Sequence, residues 1–313
     1  MSEIVTVLSA VIPVLGIAVL GLGVRKLEWL TEEADHSLLR LNINLLFPCL
    51  VLDAALGNAA LKQWGNLLLA PAVGFGTVAL GLAVAAACKH LHGLETPPAR
   101  RTFAVTVGIY NYGYVPLPLA LMLYGEETAG VLFVHNVGVE LAMWTLGVMA
   151  FTGGSVRDWR RIINAPLIAI ALALAINGLG LSGHVPGVVR TMLHWLGQCA
   201  IPMSLILIGA VVADYLGEFK QWGGRVIAVA VAMRIFLLPI AFLLLARYLP
   251  ASVELKRVMV LEAAMPSAVF PIVMSRHYGG DPPTALRVVI GTSIVGLVTI
   301  PLWIRFGMVF VGL

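Results

Sequence analysis

Charge is scarce in this sequence. Asp, Glu, Lys and Arg make up 12% of its 313 residues, about half of the roughly 25% that an ordinary soluble domain carries. So little charge cannot coat a 33 kDa globule, which excludes a cytosolic enzyme. Cysteine is scarcer still. Cys49, Cys88 and Cys199 all fall in or beside apolar runs and have no metal-ligand spacing, so they read as small core residues. HExxH, GxSxG and GxxxxGK are missing, as is any Cys/His cluster. No metal or cofactor is therefore expected, and the chain does not read as an enzyme. Strict alternation of apolar and polar residues is lacking too, which removes the membrane β-barrel. The first apolar run lacks a basic start and has no small-residue cleavage site before Arg25, so it reads as a span and not as a secretion signal.

What is abundant is hydrophobic sequence: 60% of residues, with a mean hydropathy of +0.96. A helix crossing about 30 Å of hydrocarbon needs roughly 20 residues, so the chain has room for at most about fourteen spans. Ten runs stand out between charged or Gly/Pro-rich breaks, at 4–24, 38–57, 65–88, 101–124, 128–151, 165–182, 192–212, 224–246, 256–277 and 285–309. The expected fold is an all-α polytopic membrane protein of ten transmembrane helices.

Net charge is +4, and its distribution sets an orientation. With the N-terminus outside, the inner loops collect Arg25, Lys26, Arg40, Lys89, Arg100, Arg101, Arg157, Arg160, Arg161, Lys220, Arg225, Arg276 and Arg287. The outer loops hold only Lys62, Arg190, Arg247, Lys256, Arg257 and Arg305. The excess predicts a multi-pass protein of the cell membrane with both termini outside. The basic patch DWRR at 158–161 reads as a topology anchor against anionic membrane lipid, and nothing points to nucleic acid.

Five runs precede the 152–164 loop and five follow it, and landmarks recur at an offset of 154. Pro48 answers to Pro202, Tyr124-Gly125 to Tyr278-Gly279, and Asn44 stands opposite Gln198. Five spans per unit would place the second copy upside down, so 1–151 and 165–313 are expected to be inverted five-helix repeats, the plan of many secondary transporters.

The fourth and ninth runs share a flaw. VGIYNYGYVPLPLAL places Asn111, Gly113, Pro116 and Pro118 within eight residues, and EAAMPSAVFPIVMS carries Pro266, Ser267 and Pro271. A proline inside a helix removes a donor and clashes with the preceding turn, costing about 3 kcal/mol. Broken backbone at membrane depth is tolerated where it is buried in protein or lines a wet cavity. Paired breaks near the midplane would present free N–H groups and helix N-termini to an anion, a cradle suited to a carboxylate.

These segments resemble a known family. NYGYVPLPLALMLYGEE, the following WTLGVMAF, MPSAV in the ninth run and the trailing YGGD…PLW look like the auxin efflux carriers, whose pattern is Asn-x-Gly-x-x-Gly-Leu-Pro-Leu followed by an acidic turn. Asn111, Gly113, Leu117, Pro118, Leu119 and Pro266 match residue by residue. Pro116 stands where the family usually has glycine and Tyr112 where a small polar residue is common, and both reshape the crossing point. The missing long central loop is similar to prokaryotic members. The resemblance implies a fold shared with bile acid/sodium symporters, with broken helices crossing in spans 4 and 9. It also implies a scaffold of spans 1, 2, 6 and 7, a moving domain of spans 3–5 and 8–10, and homodimers. The implied cargo is a small organic anion, malate- or malonate-like, or an auxin-like aromatic acid.

Ionisable residues at membrane depth are costly, about 2.5–3.5 kcal/mol each on insertion scales, and hence functional candidates. Asp53 shares a helix face with Asn42, Glu140 lies one turn beyond Asn136 with His135 nearby, Arg234 lies mid-span eight, and Glu262 lies one turn before Pro266. Arg234 reads either as a clamp for the cargo's carboxylate or, with more weight, as an ion-pair partner of Asp53, Glu140 or Glu262. Asp53 and Glu262 could carry a coupling proton, and Glu262 beside freed carbonyls could equally ligate sodium. His135 reads as a hydrogen-bonded core residue. His194 with Gln198 reads as polar glue between helices or across a dimer. The expected cargo site comprises Asn111, Tyr112, Gly113, Pro116, Asn136, Pro266 and Ser267. A sodium-coupled symporter of the bile-acid type is the rival expectation, followed by a membrane receptor or an embedded enzyme.

Overall fold

The computed structural model describes residues 3–152, 163–215 and 223–313. The DWRR patch, Arg157 and Lys220 lie outside the described residues. Within them the chain is helical, with no strand and a single isolated β-bridge. In chain order the helices are α1 (Glu3–Lys26), α2 (Glu32–Leu41), α3 (Phe47–Ala55), α4 (Trp64–Ala87), α5 (Pro97–Gly108), α6 (Pro116–Ala142) and α7 (Val148–Thr152). They continue with α8 (Ala165–Gly178), α9 (Gly187–Tyr215), α10 (Gly224–Val231), α11 (Leu238–Tyr248), α12 (Val253–Ala264), α13 (Phe270–His277) and α14 (Pro282–Val311). Three π-helical turns, at Asn42–Leu46, Met143–Gly147 and Ala232–Leu237, join α2 to α3, α6 to α7 and α10 to α11.

Six helical segments among the described residues are long and apolar enough to cross a membrane: Glu32–Ala55, Trp64–Ala87, Glu126–Thr152, Gly187–Asp214, Gly224–Tyr248 and Pro282–Val311. Helix α1 is 24 residues long and α8 only 14. The fourth and ninth runs are each cut in two, by residues 109–115 and 265–269.

Local chemistry explains the cuts. Pro116 and Pro118 cannot continue α5, but proline suits a first turn, and Pro116 opens α6. Met265 precedes Pro266 and adopts the extended conformation that a following proline imposes, with φ −78° and ψ 139°, which ends α12. Side-chain caps start the flanking helices: Thr96 accepts from Ala99 N, Ser252 from Leu255 N and Asp281 from Thr284 N. Gly125 and Gly279 both hold positive φ, 81° and 72°, where the chain re-aims after Tyr124 and Tyr278.

One pair of element starts recurs at the landmark offset of 154 and another within two residues of it. Helices α5 and α12 start at 97 and 253, and α6 and α13 at 116 and 270. Elsewhere the halves differ. Pro48 sits at the start of α3 directly after a π turn, whereas Pro202 lies inside the uninterrupted α9.

Helix α1 packs on α9, and α3 on α8 and α9; α4 packs on α5 and α6, and α12 on α6, α11 and α14. Small residues permit the tightest approach. A β-carbon on Gly138 would stand 1.8 Å from the Pro71 carbonyl oxygen, and one on Gly74 2.2 Å from that of His135, so the α4–α6 contact is backbone against backbone.

Candidate functional site

The two interruptions touch. Asn111 N donates to Pro266 O at 2.8 Å and Ala268 N to Ile109 O at 2.9 Å, pairing Tyr110 with Ser267 as an antiparallel bridge. Four of the free backbone groups are satisfied this way, each break by the other. Thr292 Oγ1 accepts from Ser267 N at 3.2 Å, and Asn111 Oδ1 from Val115 N at 3.4 Å.

A cavity of about 330 Å³ opens where the breaks meet. Its wall is formed by α3 and the π turn before it, by residues 111–114, by α6 with the π turn after it, by α8 with its cap, and by residues 268–270. The lining is largely apolar and aromatic. Phe47 stands edge-on to Tyr114 at 5.9 Å and Trp144 edge-on to Phe270 at 5.5 Å. Its polar groups are few: Asn111, Asn136, Asn164, the tyrosine hydroxyls and Glu140, with no Lys, Arg or His on the wall among the described residues. Asn136 Nδ2 donates to Tyr112 O at 2.7 Å and so holds the first break open. Asn164 caps α8 through Leu167 N at 2.9 Å and donates its own amide to the Glu140 carboxylate.

The backbone matters as much as the side chains. The amides of Tyr112, Gly113, Tyr114, Val269 and Phe270, all residues of this wall, make no hydrogen bond within the described chain. Unpaired N–H groups beside helix starts are the ordinary receptor for a carboxylate.

Of the residues expected at a cargo site, Asn111, Tyr112, Gly113 and Asn136 line the cavity together with Glu140. Pro116, Pro266 and Ser267 do not: they are buried behind the wall, where they shape backbone. Pro266 packs against Gly296 of α14.

Of the three acids expected beside Arg234, Glu262 is the one that meets it. Asp53 bonds His194 Nδ1 at 2.9 Å and not Arg234, and the other ring nitrogen of His194 meets Gln198 Nε2 at 2.7 Å. Asp53 thus ties α3 to α9. Asn42 does the same one face-length away, donating to Ser204 Oγ at 2.6 Å. Glu140 accepts from Asn164 and does not meet Arg234. Arg234 is fully buried and off the cavity wall, so it clamps no cargo there. Its Nε donates to Met265 O at 2.9 Å and its Nη2 to the backbone oxygen of Glu262 at 3.0 Å. The Glu262 carboxylate, 1% exposed, makes no hydrogen bond in the described chain. His135 is buried and within 3.3 Å of Asn136 Oδ1, a neighbour of the cavity but not part of its wall.

Asn164 and the aromatic pairs went unread in the sequence. Asn-Ala-Pro ahead of an apolar run is a helix-start signal and could have placed Asn164 at a cap; its reach to Glu140 has no local sign.

Comparison with known proteins finds similarity to transporters. A family model described as membrane transport protein matches residues 6–158 and 154–304. An uncharacterized transporter of Methanothermobacter thermautotrophicus is 27% identical over 306 residues, covering 94% of this chain and 96% of the relative. Another, from Methanocaldococcus jannaschii, is 22% identical over 282 residues, covering 88% and 90%.

Proposed function

The chain belongs to the membrane transport protein family, the auxin efflux carrier family that its sequence resembles, and we propose that it is a secondary carrier of a small organic acid with one carboxylate on an apolar body. The observation that carries this reading is the wall of the cavity at the meeting breaks: among the described residues it has five unbonded amides, three asparagines, a shell of aromatic rings and no cationic side chain. Amides and helix starts receive the carboxylate without a fixed positive charge, so the loaded site can be left as well as entered. The aromatic shell favours an auxin-like or branched monocarboxylate over malate or malonate, whose second charge would meet no donor cluster. At about 330 Å³ the space is at the small end of ligand sites.

Glu140 completes the proposal. Among the described residues it is the one acidic side chain on the wall. Two like charges in one apolar cavity repel strongly, so the acid is bound with a proton on Glu140 and the two cross together. Ten spans in two inverted repeats, with α1, α2–α3, α8 and α9 as scaffold and the rest moving, give this carrier its alternating access. The packing of α1 and α3 on α8 and α9, and the paired starts of α5 with α12 and α6 with α13, support that division. Both termini then face outward and the carrier works as a homodimer in the cell membrane.

Uptake into sealed proteoliposomes tests the proposal. An imposed proton gradient should drive accumulation of an unmodified aromatic monocarboxylate, and Glu140→Gln should keep binding but lose the response to the gradient. Saturable binding with no flux in any gradient would instead favour a receptor, and chemical conversion of the cargo an embedded enzyme.

A further inference from the structure

Arg234 poses a problem that the cargo site does not solve. It is a permanent charge with no exposed surface, and it has no carboxylate oxygen within salt-bridge distance among the described residues. A buried charge is held only where other groups compensate it.

The buried Glu262 carboxyl acts on it through space, and the direct contacts come from the end of a helix. Helix α12 stops at Ala264, so its last carbonyls lack intrahelical partners and carry about half a negative charge. Arg234 Nε and Nη2 bind two carbonyls there, Met265 O just past the helix at 2.9 Å and Glu262 O, which also accepts from Met265 N, at 3.0 Å. The guanidinium carbon also lies 5.0 Å from the centre of the Tyr110 ring and 5.2 Å from that of Phe242, within the range of cation–π attraction. Tyr110 belongs to the first break and is itself anchored to Thr77 of α4 at 2.7 Å. The π-helical turn Ala232–Leu237 carries the arginine on an otherwise apolar segment. One side chain therefore joins both interruptions: it fills the carbonyl mouth of the second and presses on a ring of the first.

Carbonyls freed at the end of a broken membrane helix are where transporters coordinate a free coupling cation. Here that mouth is already occupied by a cation on a covalent tether. We propose that Arg234 stands in for a coupling metal ion at the second break, so that the crossing is held together without sodium, and that removing the guanidinium creates a site for a free cation of the same shape. This rests on the carrier reading for its meaning in transport, but not for its chemistry.

The test therefore has a binding arm that needs no cargo. The purified wild-type protein should show the same melting temperature in sodium and in choline, and millimolar guanidinium or methylguanidinium should not raise it. Arg234→Ala should melt lower, and millimolar guanidinium should shift it back toward wild type while sodium does so less; Arg234→Lys should fall between the two without any additive. A folded Arg234→Ala that no cation stabilises would overturn the proposal. So would a wild-type protein that needs sodium for stability or for uptake. Should Arg234→Ala fail to fold, the sodium comparison on the wild type and the intermediate melting of Arg234→Lys decide the matter. Guanidinium rescue in a protein that moves no carboxylate would sink the carrier reading and leave this one standing.

Discussion

The two breaks do different work. Residues 109–115 spend their polar groups on the cavity: Asn111, Tyr112, Gly113 and Tyr114 line it, and Asn136 reaches across to hold Tyr112. Residues 265–269 contribute only Ala268 and Val269 to the same wall, with the Val269 amide but no polar side chain, and Met265 O and Ser267 N are turned to the rear, where Arg234 and Thr292 hold them. A pair of similar interruptions thus divides into a recognising face and a braced one. Two breaks at corresponding places in a sequence need not share a role; the chemistry behind each decides it.

Substitutions can break or sharpen that contrast. The largest effect is expected from Asn111→Ala, which strips the recognising face of its amide and of the cap on Val115 N; uptake should fall by at least tenfold, on the order of 1.4 kcal/mol or more, with expression unchanged. Wild-type uptake in that variant would show that the first break does not recognise cargo. Asn136→Ala should do somewhat less, loosening Tyr112 and raising KM more than it lowers the maximal rate.

The braced face should answer in stability instead. Thr292→Val removes the acceptor for Ser267 N and leaves a buried donor unpaired, a loss of about 1–3 kcal/mol, read as a lower melting temperature with the cargo's KM unchanged. A KM shift larger than that of Asn136→Ala would erase the distinction between the breaks. The smallest effect is expected away from both. His92, in the loop before α5, is buried against Phe103 with its Nδ1 accepting from Leu94 N. Burial first, then Arg100 and Arg225, holds its pKa below the ordinary 6.5. A histidine kept neutral in the fold stabilises above its unfolded pKa and loses that stabilisation as pH falls. Melting temperature should therefore drop below about pH 6.5, and His92→Asn should flatten part of that slope.

Much of the fold was legible because prolines, glycines and hydropathy act locally. The runs expected at 65–88, 165–182 and 224–246 appear as helices at 64–87, 165–178 and 224–248. Pro116 and Pro266 mark where the interrupted runs change course. The three π turns were not legible, since nothing in NINLL, MWTLG or AMRIFL sets them apart from an ordinary apolar helix. Site residues divided along the same line. Asn111, Tyr112, Gly113 and Asn136 stand out as polar groups in apolar runs, and the cavity gathers them. Arg234 and Asp53 also stand out, but their partners are a pair of backbone carbonyls and a histidine 141 positions away. A carbonyl has no signature in a sequence, and charge alone could not single out Glu262 from Asp53 and Glu140 as the residue that meets Arg234.

One measurement reaches the central claim directly: thermal stabilisation of the purified protein by an aromatic monocarboxylate and by its uncharged amide of the same shape. At a hundred times its Kd a bound ligand should add about 2.7 kcal/mol of stability. If the unbonded amides at the meeting breaks receive a carboxylate, the acid stabilises the wild-type protein, the amide does not, and Asn111→Ala abolishes the difference. Equal stabilisation by acid and amide, or an undiminished effect of the acid on Asn111→Ala, would contradict it.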